Sequence, residues 1–514
     1  MSKTIIIIGA GLAGLSAALQ AAENGCNVKL VSFLPSERAQ SVMAEGGINA
    51  ALNTKDENDS PEEHFTDTIK AACGLADPNA VWGMTQAAPE LVHWLLKLGV
   101  KFNMSGYDDV DLRNFGGQKK KRTAFAQSDT GKQIMTAMID AVRRKEASGM
   151  VERFSRHSFL TLRLCGNICC GCVIRDEYSQ ETVELPGDAV IVATGGMHGL
   201  FGNTTGSLSN TGEVTAELFR LGVPLANGEM IQYHPTTVKC GGKRMLISEA
   251  ARGEGGRLFA MKDGKQWYFM EEKYPELGNL MPRDITAREI WKVSHESEVF
   301  LDMTEISEEI ISNKLSGLAD DCMTYLHKDI RKEPVSVLPG IHYFMGGILV
   351  DEQHRTPIQN LCAAGECCAQ YHGANRLGGN SLLGALYGGR VAAKSACEQA
   401  DVVDLSCATQ IDFPPASQIS EIKQLNKVMQ ETMGVVRNEN TLLNGIQTVQ
   451  ALTGNLPLLG MAVLKSALAR KESRGAHWRE DYPKSNDDDY LKTTVARFDG
   501  KQIQISFVPV PERR

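Results

Sequence analysis

Long apolar runs are missing from this sequence. No stretch approaches the ~18 consecutive apolar residues that cross a bilayer, so the chain is not expected to insert into a membrane directly. An excess of positive charge is missing too: 54 Lys and Arg stand against 62 Asp and Glu, a formal −8. Sequence-independent grip on nucleic acid needs a cationic surface, and the one dense basic run, Lys119 to Arg122, reads as a solvated loop. Internal repeats and low-complexity tracts are absent. Paired CxxC elements and a CxxCH haem-attachment site are absent as well, so no metal site, iron–sulfur cluster or c-type haem is expected. The 13 cysteines are scattered and odd in number, which points to reduced thiols and a cytoplasmic setting. Cys165, Cys169, Cys170 and Cys172 look like metal ligands only at first glance. Ile168 to Arg175 is apolar and follows Gly166-Asn167 like a strand, and alternation would split the three later thiols between two faces.

What is present is an ordinary globular composition, 42% hydrophobic and 23% charged, over 514 residues. That length exceeds one core and predicts several domains. The N-terminus imitates a signal peptide, yet its apolar run is broken at once by glycines. Ile5–Ile8 is β-branched enough for a strand buried on both faces, Leu15–Glu23 reads as a helix and Asn27–Ser32 as the next strand, a βαβ unit. Asp188–Ala193 is another buried strand, ending in Thr194-Gly195-Gly196. Between the first strand and helix lies Gly9-Ala10-Gly11-Leu12-Ala13-Gly14. Its glycines stand where a tight turn, a close phosphate approach and helix–strand packing leave no room for a side chain. The helix N-terminus beyond offers N–H groups and a positive dipole end to a pyrophosphate. No acidic residue closes the second strand; Ser32 stands there, and on these residues alone FAD and NAD both remain open. The texture of the chain predicts an α/β fold: a Rossmann-like domain in two pieces (1–232 and 345–400), an inserted α+β capping domain (233–344), a helical domain (401–490) and a strand-bearing tail (491–514).

Several segments in order carry a resemblance. They include Met43-Ala-Glu-Gly-Gly-Ile-Asn-Ala-Ala-Leu52, Gln232-Tyr-His-Pro-Thr236, Ser248-Glu-Ala-Ala-Arg-Gly-Glu-Gly-Gly256, Pro282-Arg-Asp284, His342-Tyr-Phe-Met-Gly-Gly347, His372-Gly-Ala-Asn-Arg-Leu-Gly-Gly379 and Arg470-Lys-Glu-Ser-Arg-Gly-Ala-His-Trp-Arg-Glu-Asp-Tyr-Pro483. Together they resemble the flavoprotein subunit of the fumarate reductase/succinate dehydrogenase family, whose other branch is L-aspartate oxidase.

The resemblance implies FAD, held by Gly9, Ala10, Gly11, Leu12, Ala13, Gly14, Ser32, Gln40, Ser41, Gly46 and Gly47. Ala193, Thr194, Gly195, Glu213, Glu366, Ser381 and Leu382 complete the cofactor set. It implies a dicarboxylate held by Arg376 and His342 at one end, and by His234 and Ser248 at the other, with Phe115 and Gln118 in the adjoining loop. Arg283 would give the proton as flavin N5 gives hydride, and Glu249 and Arg252 would relay the proton back. By spacing alone Glu249/Arg252 reads as a helical ion pair.

Two departures separate the branches. Gln40 lies where the respiratory enzymes carry the histidine covalently joined to FAD, so the cofactor is expected to be non-covalent and of lower potential, which favours fumarate reduction. Phe115 stands where L-aspartate oxidase carries a carboxylate for the substrate ammonium, and burying an unpaired ammonium there costs several kcal/mol. A reductase of another unsaturated acid is the nearest alternative. The C-terminus looks shorter than in the respiratory subunits, as if a further domain were missing. The expected partners are a dicarboxylate substrate and an electron-transfer subunit or soluble donor, with any membrane association made through such a subunit.

Overall fold

The computed structural model describes residues 2–106, 109–399, 413 and 418–514; the first residues assigned to the helical domain, 401–412 and 414–417, lie outside them. Its centre is a five-stranded, all-parallel sheet in the order Leu361–Ala363, Ala189–Val192, Thr4–Ile8, Asn27–Ser32, Val151–Ser155. The continuous isoleucine run follows from coverage on both faces. Ile5 and Ile7 pack into a core with the helices Leu12–Glu23, Thr130–Ala147 and Asn380–Gln399. Ile6 and Ile8 pack on the other side, against the antiparallel sheet His157–Cys165, Ile168–Asp176, Thr182–Pro186. The first helix begins at Leu12, three residues before the sequence reading, because Gly11 to Gly14 already forms its first turn.

Residues 257–336 build a second unit around an antiparallel sheet ordered Lys265–Trp267, Arg257–Lys262, Val299–Asp302, Val335–Ser336, with its own apolar core. It is tied to the first by two long antiparallel strands, Ile231–Cys240 and Leu338–Phe344. Three helices, Ile419–Thr432, Glu439–Val449 and Asn455–Ala469, pack together against Met197, Phe201 and Phe219. The final hairpin, Lys492–Phe498 with Ile503–Pro509, does not stand apart as a tail. Ala496 pairs with Leu225 and Val495 with Ala226, so it extends a sheet that also holds Gly347–Leu349 and Cys368–Ala369.

Two cysteine expectations need correction. The three later thiols are split as expected but partitioned differently: Gly171, at φ +142°, breaks the regular alternation of its strand, so Cys169 and Cys172 enter one core that Cys170 does not share. Among the described residues eleven cysteines are free thiols, whereas Cys165, at the hairpin end of its strand, is disulfide-bonded. Among the described residues no group of His, Cys, Asp and Glu could hold a metal ion.

Candidate active site

A cavity of about 600 Å³ runs from the fingerprint turn to the two long strands that join the units. One end is built mostly from backbone. Gly9 has φ +112°, and a Cβ on it would lie 2.2 Å from Ala193 O; one on Gly14 would lie 1.9 Å from Gly9 O. Gly9, Ala10, Gly11, Leu12 and Ala13 therefore line the cavity at a helix N-terminus suited to an anion, while Gly14 packs behind them. The Leu12 N–H donates to Ser41 Oγ at 3.3 Å. Ser32 is buried at the end of the second strand, and its hydroxyl has no partner. Glu366 Oε1 accepts from the Phe344 N–H at 3.1 Å and lies 3.5 Å from His198 Nε2. Gln40 lines the wall and its Oε1 accepts from the Ser207 N–H at 2.6 Å. Gly46, Gly47, Ala193, Thr194, Gly195, Glu213, Ser381 and Leu382 complete this end, and burial raises the Glu213 carboxyl above its ordinary range. A turn whose Gly9 and Gly14 leave no room for a side chain, and an orphaned hydroxyl at the end of the second strand, fit a bound dinucleotide.

The other end is built from charged side chains. Arg283 opens the helix Arg283–Val293, and its Nε and Nη2 donate to Glu249 Oε2 at 2.8 and 2.5 Å. Arg252 approaches the other oxygen of Glu249 at 3.6 Å and donates to Asn279 O at 2.6 Å. Burial pushes Glu249 up, but Arg283 and Arg252 outweigh it and hold the carboxylate below its ordinary range. Arg376 is 3% exposed, its Nε has no partner, and its guanidinium lies 4.4 Å from the centre of the Tyr343 ring. Burial, then the charge of Arg283, pulls it down to about 9. The rings of His234 and His342 are 5.1 Å apart. His234 Nδ1 bonds Thr236 O at 3.1 Å and its Nε2 is unpartnered, while His342 Nδ1 meets Thr205 Oγ1 at 2.8 Å. Burial and then Arg283 hold both imidazoles well below their usual range, so both are neutral at pH 7. Ser248 caps the short helix Glu249–Gly253 by accepting from the Ala250 N–H at 3.4 Å.

The structure thus brings Arg283, Arg376, His234, His342, Ser248, Glu249 and Phe115 to one wall. Arg252 stands behind Glu249, outside the lining. Gln118 is not in the wall either, and its expected substrate contact is corrected. The turn at Gly117, φ +81°, carries it behind, where its amide donates to Gly378 O at 2.8 Å. Two neighbours escaped the sequence reading. Gln232 takes a hydrogen bond from Arg283 Nη1 at 3.1 Å and gives one to Arg376 O at 2.9 Å, so one amide spans both arginines; its only sequence signal was its place beside His234. Glu45 lines the cavity, and burial, with Asp321 adding to it against Ser248 and Arg113, raises its carboxyl to about 8.

A parallel sheet with a phosphate-binding turn, opening on a buried cationic pocket, defines a dinucleotide-dependent oxidoreductase. The chain matches the family described as FAD binding domain over residues 4–382, and the one described as fumarate reductase flavoprotein C-term over residues 452–513. It is 38% identical to the succinate dehydrogenase flavoprotein subunit of Bacillus subtilis, covering 100% of this chain and 98% of that one. It is 32% identical to the 8-methylmenaquinol:fumarate reductase flavoprotein subunit of Wolinella succinogenes, covering 100% and 92%. A solved quinol fumarate reductase chain of E. coli superposes with a TM-score of 0.90 at 27% identity, covering 99% and 97%. The chain belongs to the succinate dehydrogenase/fumarate reductase flavoprotein family and is an FAD-dependent oxidoreductase of that type.

Proposed function

We propose that this chain reduces fumarate to succinate on non-covalently held FAD, as a flavoprotein subunit fed by an electron-transfer partner or soluble donor. The observation that carries the reading is a charge count. Arg283 and Arg252 pair with one carboxylate, Glu249, while Arg376 lines the same wall with no ion pair and Glu366 as its nearest acidic influence, so the paired carboxylates fall short of the arginines and leave room for an anion. Such under-compensated buried charge is costly without a ligand. Arg376 and His342 take one substrate carboxylate; His234 and Ser248 take the other. Arg is suited to this by its planar, multi-donor head, and a neutral histidine adds an Nε2–H donor in the tautomer whose Nδ1 accepts, from Thr205 Oγ1 at His342 and from the Thr236 N–H at His234. FAD, when bound, supplies the electron pair as a hydride equivalent.

Arg283 gives the proton to the substrate carbon. A guanidinium gives up a proton only transiently, so immediate return is required, and the hydrogen bonds from Arg283 to Glu249, with Arg252 beyond, support that relay. An amide at Gln40 cannot bond covalently to flavin, and a lower-potential flavin favours giving electrons to the alkene. Phe115, apolar and 1% exposed, opposes an amino-acid substrate. The relatives in Bacillus and Wolinella are by name flavoprotein subunits, which supports a partner. The described residues include no helix long and apolar enough to cross a membrane, so we place any attachment to a cytoplasmic membrane face in that partner.

The test is oxidation of reduced viologen across a panel of unsaturated acids. Fumarate should be the best acceptor, and acid precipitation should leave yellow flavin in the supernatant. Preference for a monocarboxylate, or peroxide formed from aspartate, would replace this reading with one of the alternatives.

A further inference from the structure

Two helices carry the cofactor end of the cavity at their N-termini and meet again at their far ends. Leu12–Glu23 starts at the fingerprint turn, and Asn380–Gln399 starts with Ser381 and Leu382 in the wall. They pack closely: Ser16 Oγ donates to Leu386 O at 2.7 Å, and a Cβ on Gly389 would lie 2.3 Å from Ala13 O. Just beyond the first helix sits buried Cys26; near the end of the second sits half-buried Cys397. Both are free thiols, and their sulfurs are 3.0 Å apart, about 1 Å more than the ~2.05 Å of a covalent bond. Lys3 Nζ donates to Cys397 O at 2.7 Å, which pins this helix end beside the first strand of the central sheet. Neither thiol touches the cavity, so the reaction proposed above makes no use of them.

We propose that Cys26 and Cys397 are a thiol-oxidation site, closed by a low-molecular-weight disulfide into a reversible staple that locks the two FAD-bearing helices together. One thiolate attacks a sulfur of oxidised glutathione, forming a mixed disulfide and releasing one glutathione thiolate. The second protein thiolate displaces the other. Two protons leave the protein, two electrons pass to the oxidant, and one protein S–S bond forms as the oxidant's breaks. Burial, with Cys26 adding to it, pushes the Cys397 thiol up to about 12; a sulfur of that kind attacks slowly near neutrality and leaves slowly, so the staple is slow to close and slow to reopen. Tying the far ends suppresses the splaying through which FAD would escape. The inference rests on FAD binding alone, not on the substrate or the direction of reduction.

The test uses the FAD-loaded protein treated with oxidised glutathione. Non-reducing peptide mapping should join the Cys26 and Cys397 peptides with loss of two hydrogens. On dilution the oxidised protein should release FAD about fivefold more slowly, since even small stabilisations of a closed state shift populations by such factors, and dithiothreitol should restore the original rate. Cys397→Ser should keep the parent's FAD content and viologen activity while losing the oxidant-dependent slowing. Should Cys26→Ser fold poorly because its site is buried, Cys397→Ser carries the test by itself. Failure to recover the joined peptides, or equal FAD release from oxidised parent and oxidised Cys397→Ser, would overturn the proposal.

Discussion

Two clusters of buried arginine sit in this chain, and they are built in opposite ways. In the segment after residue 469 the charges are balanced. Arg470 meets Glu229 and Glu472, each at 2.7 Å, Arg474 meets Glu472 at 2.8 Å and Asp487 at 2.5 Å, and Arg479 meets Asp481 at 2.6 Å. Arg437, beside them, gives its protons to Glu229 O and Gly434 O. At the cavity Arg283 and, behind it, Arg252 share one carboxylate, Arg376 has no ion pair, and nitrogens of Arg252 and Arg376 stay without hydrogen bonds. Both clusters come from segments that identify the family. Only the second leaves charge over. In the first cluster the arginines tie distant segments together; in the second, Arg376 keeps an unpartnered Nε at a cavity wall, a place for an anion.

Substitutions can break that contrast. Arg283→Ala should cost the most in turnover, about 10²–10⁴-fold for loss of a positioned proton donor, with FAD content retained. Reduced-viologen kinetics beside a flavin spectrum reads it, and a fall under tenfold would return Arg283 to a structural role. Arg470→Ala should instead cost about 3–5 kcal/mol of stability, because Glu229 and Glu472 lose a buried partner. Urea unfolding measures the loss, while the folded fraction keeps the parent's turnover. Arg376→Lys should raise KM for fumarate about 10–100-fold with a smaller effect on turnover, since a point charge replaces a planar fork.

The smallest expected effect is a pH dependence. Glu45 has its folded-state carboxyl raised from 4.5 to about 8. A raised group contributes stability that is complete below pH 4.5 and is lost as pH rises to about 8. Between those values FAD-free parent protein should lose about 1–2 kcal/mol more than Glu45→Gln, after discount for water reaching a cavity wall. Parallel melting curves for the two proteins would deny Glu45 its burial.

The same contrast explains what the sequence made legible. Gly9 and Gly14 were readable because a steric demand appears in sequence as a missing side chain, and Ile5–Ile8 because burial on two faces removes polar residues from a strand. Arg283 and Arg376 were recognisable from their segments, but that they are under-paired was not, since Glu249 and Gln232 reach them across the fold. Gln118 misled because a left-handed turn at Gly117 reverses the direction of the next side chain. Cys169 and Cys172 misled for a related reason at Gly171. The final hairpin read as a tail because its pairing partners, Leu225 and Ala226, lie far back in the chain.

The cavity wall draws on residues from Ile8 to Ala385, and the last strand to enter the central sheet is Leu361–Ala363. During synthesis the fingerprint turn therefore emerges well before the wall it shares with Ser381, Leu382 and Ala385 is complete. Cofactor capture is consequently a late event in the life of this chain, and a translation product truncated before the Asn380–Gln399 helix should emerge colourless.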